Sequence, residues 1–128
     1  MKVNCGTIYS GLQTIIDLSE KPMKVSLAAK LLRLSNDLTE ETKLIEKQRN
    51  DLLERYGRKD QDGKLIIENG KISFEDKDIE KIQNEFNELS NLEIEIPNRN
   101  ITEEEIENSG LELTLNQLSI LNNFIEKK

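Results

Sequence analysis

Leu31, Leu38, Ile45 and Leu52 recur every seven residues. This spacing keeps apolar side chains on one side of an α-helix, so it predicts a long amphipathic helix over 23–57. Leu27 and Leu34 occupy the matching offset position, and later members of that offset are Glu41 and Gln48. The stripe is therefore narrow, fully apolar near its start and mixed further on. It suits packing on one or two partner helices. An intramolecular core is the simpler destination. A second copy of the chain or a partner helix is the other, because the next predicted helix covers only about half the stripe. Asp51/Arg55 and Glu54/Arg58 stand four residues apart, each such pair adding about 0.3–0.5 kcal/mol. Gly57 is placed as a C-cap.

The flanking segments are shorter. Met1 to Asn4 reads as a strand, and Ile8, Leu12, Ile15 and Ile16 give a helix over 7–19 with Thr7 or Asn4 as its cap. Gly6 and Gly11 weaken that helix, and Lys21-Pro22 punctuates the chain. After a turn-rich link at 58–63, two β-prone runs flank Asn69-Gly70 and predict a hairpin over 64–74, since a type I′ turn needs positive φ at two successive residues. A second helix over 77–92 carries Ile79, Ile82, Phe86 and Leu89, with Asp76 or Asp78 as its cap. Glu93 to Ile96 alternates like a strand. Capping boxes at Thr102–Glu105 and Thr114–Gln117 open two more helices. Leu111 to Leu113 separates them as another candidate strand. The last helix carries Leu118, Leu121, Phe124 and Ile125, with Lys127 and Lys128 at its negative dipole end.

The expected fold is a single domain over 1–128, mainly α with small β elements (α+β). The divisions are 1–20, 23–57, 64–74, 77–92 and an acidic 93–128. The second helix is expected to pack antiparallel on the first, with the hairpin at the turn. This helix–hairpin–helix outline is similar in pattern to the coiled-coil arms of prefoldin-type chaperones, and a shared outline implies no shared function.

Composition narrows the chemistry. With no His, imidazole bases and the triads built on them are excluded. Cys5 is the one cysteine. It allows no disulfide within the chain and no Cys/His zinc site, and reads as a small hydrophobe. Gly-rich phosphate loops are absent. No carboxylate pair stands out for glycoside hydrolysis, and Asp60, Asp62 and Gly63 miss the calcium-loop spacing. No catalytic residue, cofactor or metal is therefore assigned. No run is long and apolar enough for a membrane span, and Met1–Gly6 shows no signal-peptide core. These features predict a soluble, cytoplasmic protein.

The net charge of −7 divides unevenly: residues 1–59 carry +3 and residues 60–128 carry −10. Direct nucleic-acid binding is disfavoured by that sign and by few aromatics. Lys24, Lys30, Arg33, Lys43, Lys47 and Arg49 are interspersed with acids and read as a solvated helix face. Within 85–112, nine acids (Glu85, Glu88, Glu93, Glu95, Glu103, Glu104, Glu105, Glu107 and Glu112) face Arg99 alone. This stretch is a solvated face, a docking patch for a basic partner, or, least favoured, a cation site.

Leu53–Asp60 with Asp62-Gly63-Lys64 and Asn69-Gly70-Lys71-Ile72, then Glu85–Leu89 with Leu92–Ile96 and the closing Leu118–Ile125 block, resemble a family of short phage and prophage proteins from low-GC Gram-positive hosts. That family is a domain of unknown function. The resemblance rests on order and spacing, implies a phage-encoded protein and brings no site residues with it. The expected function is a non-catalytic protein–protein interaction module in phage assembly or structure, in the host cytoplasm or the virion. The alternative is an inhibitor of a host defence or nucleic-acid-processing protein, acting through 85–112.

Overall fold

The computed structural model describes residues 1–126; Lys127 and Lys128, with their expected dipole role, lie outside the described residues. The elements in chain order are β1 (Lys2–Val3), α1 (Cys5–Leu18), α2 (Val25–Tyr56), β2 (Ile67–Glu68), β3 (Lys71–Ile72), α3 (Asp76–Asn91), β4 (Ile94–Glu95), α4 (Glu103–Glu107) and α5 (Leu115–Leu121). A 3-10 turn follows at Asn122–Phe124. The fold is mainly helical with two small antiparallel two-stranded sheets. The chain divides into two compact units, one built from residues 1–42 and from Glu93 onward, the other from Lys43–Leu92.

In the first unit the N-terminal half of α2 supplies Leu27, Leu31, Leu34 and Leu38, all buried. Ile8, Ile15 and Leu18 of α1 are buried with them, as are Ile96, Ile101, Ile106, Leu121, Phe124 and Ile125 from the C-terminal segment. Asn4 caps α1, its side chain accepting the Thr7 amide at 2.9 Å. Gly11, expected to weaken α1, instead permits close packing. A Cβ there would lie 2.5 Å from Phe124 Cε2 and 3.2 Å from Leu38 Cδ1. β1 pairs antiparallel with β4, Val3 opposite Ile94. The loop after β4 and helix α4 are each tied to α2 by an ion pair. Arg99 donates from Nε and Nη2 to the two Asp37 carboxylate oxygens, both at 2.7 Å. Lys30 Nζ donates to Asn100 O at 2.7 Å and to the Glu105 carboxylate. Hydrogen bonding to Asp37 raises the Arg99 pKa and holds the guanidinium charged.

In the second unit Ile45 and Ile82 are buried and Leu52 is half-buried. Three of the four seven-residue stripe positions are thus buried within the chain. Asn69 (φ 53) and Gly70 (φ 77) form the type I′ turn between β2 and β3. The hairpin is wider than predicted, because the segment after α2 joins it. Gly57 bridges Phe74 and Lys59 bridges Leu65. The Arg58 amide donates to Ser73 O at 2.8 Å, and Arg58 O accepts the Ile66 amide at 2.8 Å. The expected link at 58–63 is therefore itself a tight turn. In it Asp60 Oδ1 accepts the amides of Asp62 (2.8 Å) and Lys64 (3.0 Å), and Gly63 takes φ 79.

Several local expectations are corrected. Gly57 closes α2 without a left-handed conformation; its role is clearance, since a Cβ would lie 2.6 Å from Leu53 O. Arg55 reaches Glu85 of α3 (3.9 Å) and Arg58 reaches Glu68 of the hairpin (4.0 Å), where local spacing offers Asp51 and Glu54. Glu75 is the N-cap of α3 and makes no side-chain cap bond; Asp76 and Asp78 lie in the first turn, where they complement the dipole. Thr102 caps α4, but Glu105 turns to Lys30, leaving that box half made. Leu111–Leu113 is irregular. The Thr114–Gln117 box is complete, yet its helix stops at Leu121, and Phe124 is buried from the following 3-10 turn.

Candidate functional site

The nine acids of the 85–112 stretch occupy separate settings. Glu85 and Glu88 lie on α3 in the second unit; the other seven belong to the first. Glu93, Glu95, Glu103, Glu104, Glu107 and Glu112 are exposed, and Glu105 is half-buried against Lys30. Glu95 Oε1 accepts from the Met1 ammonium at 2.9 Å. Lys21 Nζ meets the backbone carbonyl of Glu112 at 2.9 Å. Glu103, Glu104 and Glu107 line one open hollow of about 650 Å³ with Glu126, which falls outside the predicted stretch. Among the described residues no group of three or more His, Cys, Asp or Glu is arranged to hold a metal ion. Among the same residues no helix is long and apolar enough to cross a membrane. Cys5 is buried at the start of α1.

In the first unit α1 and α2 bound an apolar groove of about 420 Å³. Leu12, Ile15 and Ile16 form one wall; Ala28, Leu31 and Leu32 form the other, with Ser35 and Thr39 continuing it. Leu31 is buried by the core, whereas Ile16 and Leu32 are 53% and 62% exposed. Helical spacing accounts for this wall. Positions 28, 32, 35 and 39 share a face of α2, and none of them is charged in a chain that is 34% charged. Apolar periodicity does not mark this face, because two of its four positions, Ser35 and Thr39, are polar.

In the second unit the C-terminal part of α2 and α3 bound a groove of about 350 Å³. Glu85 sits within it, half-buried beside Arg55 and hydrogen-bonded by Tyr56. The bond to Glu85, burial and the Glu85 charge together raise the Tyr56 pKa above its usual 10.0, against a smaller lowering influence from Arg55. A phenol whose folded pKa is raised stabilises the fold fully below its unfolded value, and this contribution is lost as pH rises through the folded value. Following phenolate absorbance at alkaline pH, Tyr56 is expected to ionise later in the parent chain than in Glu85→Gln. Superimposable titrations would contradict the assignment.

Comparison with protein-family models, with characterised proteins and with solved structures finds no match to this chain.

Proposed function

We propose that this chain is a non-catalytic protein–protein interaction module, encoded by a phage and acting as a small assembly or structural adaptor in the host cytoplasm or the virion. The observation that supports the reading best is the uncharged groove between α1 and α2, where Ile16 and Leu32 remain more than half exposed. A contiguous apolar patch on an otherwise charged chain loses free energy to water unless a partner covers it. The phage origin rests on the family resemblance of the Leu53–Lys64, Asn69–Ile72, Glu85–Ile96 and Leu118–Ile125 segments. The test is mass spectrometry of purified particles and of assembly intermediates from infected cells expressing the tagged chain. The chain is expected to travel with virion or assembly proteins, and Ile16→Asp with Leu32→Asp is expected to release it while its helicity is kept. Finding it with neither fraction would overturn the reading.

A second reading is a host-directed inhibitor that caps a basic groove of a defence or nucleic-acid-processing protein. It is favoured by the convergence of Glu103, Glu104 and Glu107 on one hollow. Such binding weakens steeply with added salt. Reversing these three to Lys is expected to abolish it, with Glu105 left in place because it pairs with Lys30. Binding that survives the triple reversal would dismiss this reading.

A further inference from the structure

We propose that the groove between the C-terminal part of α2 and α3 seats a basic amphipathic helix from a partner protein. Its first wall is Gln48, Asp51, Leu52 and Arg55, which follow one another at helical face spacing. Glu85, Glu88, Leu89 and Leu92 repeat that spacing on the second wall. Two helices presenting such faces side by side leave a seat for a third, packed at about 8–10 Å from each axis. The apolar contact would come from Leu52 and Leu89, both half-buried, and from Leu92, which is 50% exposed.

Charge sets the sign of the occupant. Three carboxylates border the groove, while its one guanidinium, Arg55, is turned to Glu85. Asp51 and Glu88 are exposed, where a cationic side chain from a partner can reach them. Leucines flanked by surplus carboxylates therefore match a helix that carries Leu-like residues on one face and Lys or Arg along its margins. An acidic or neutral helix would leave the carboxylates desolvated and unpaired, which disfavours it.

The inference rests on the interaction-module reading only in taking the occupant to be a protein. The two are tested apart, because particle mass spectrometry does not involve the probe used here. That probe is a synthetic amphipathic helix of Leu and Lys, titrated into the isotope-labelled full chain and followed by methyl NMR. Shifts are expected at Leu52, Leu89 and Leu92, with affinity falling as salt is added. Asp51→Lys with Glu88→Lys should weaken binding by about tenfold or more. Asp51→Asn with Glu88→Gln should weaken it less, in the same direction. Asp17→Lys with Glu20→Lys, an equal charge change at exposed positions in the other unit, should leave it unchanged. The proposal is overturned if both Lys double variants lose affinity equally, if neither does, or if the shifts fall outside this groove. It is equally overturned if a Leu/Glu helix of the same pattern binds as well.

Discussion

Replacing Phe124 by Ala is expected to cost about 3–5 kcal/mol of unfolding free energy, read from the shift of a urea denaturation midpoint at constant slope. The ring is 2% exposed and meets two other elements at once. Its Cε2 and Cζ lie 2.5 and 2.7 Å from where a Cβ on Gly11 would stand, and Leu38 Cδ1 lies 3.2 Å from that point. The ring thus fills the space where α1 and α2 approach, and its removal leaves a cavity that those helices cannot close by side-chain motion alone. A loss of this size is a large share of the roughly 5–15 kcal/mol that holds a domain together. The same geometry predicts a reversal of sign at Gly11. In an ordinary helix interior Gly→Ala gains roughly 0.5–1 kcal/mol. Against the Phe124 ring it is expected to lose about 1–3 kcal/mol through overpacking. In the Phe124→Ala background the gain should return. Strict additivity in the double-mutant cycle would show that the two residues do not share this space.

Gly57→Ala is expected to destabilise the second unit by about 1–3 kcal/mol, although Ala is the better helix former and Gly57 directly follows α2. The added Cβ would stand 2.5 Å from Leu65 Cδ2 and 2.6 Å from Leu53 O. Leu65 can rotate away. The Leu53 carbonyl cannot, since it accepts the Gly57 amide at 2.8 Å and moving it opens the last turn of α2. Hydrogen exchange should report the site of damage, with the amides of Arg58, Ile66 and Ser73 losing protection first. Unchanged protection together with an unchanged denaturation midpoint would contradict the clearance role.

Elements encoded by neighbouring residues were legible before the structure. The seven-residue stripe located α2 to within about two residues of its start. Asn69-Gly70 specified its turn because few residue pairs accept two positive φ values. Thr114 and Gln117 form the reciprocal cap that their spacing implied. What escaped local pattern was partnership across the chain. The pairing of Lys2–Val3 with Ile94–Glu95 leaves no trace in either segment alone. Gly11 looked like a weak point because propensity prices a glycine without knowing that a phenyl ring will arrive beside it. Thr102–Glu105 had the letters of a capping box, but a charge-assisted bond to Lys30 outcompetes the neutral amide of the cap. The acidic stretch was visible as composition, yet composition cannot divide solvated carboxylates from Glu85 and Glu105, each set against a cation. Asp51 was read only as a helix-stabilising partner of Arg55. Its place on a groove wall depends on α3 returning beside it.

The division of the chain into units also bears on the order in which they form. Residues 43–92 are continuous, whereas the other unit is assembled from both sides of them. During vectorial synthesis the inner unit has all its parts as soon as Leu92 emerges. The outer one must wait for the strand around Ile94 to reach Val3, and for Phe124 to reach the pocket beside Gly11. Closing that larger loop costs entropy before any of its contacts is gained. In kinetic terms the pairing of Val3 with Ile94 is a non-local contact that spans a whole continuous unit, and pairings of that kind slow folding.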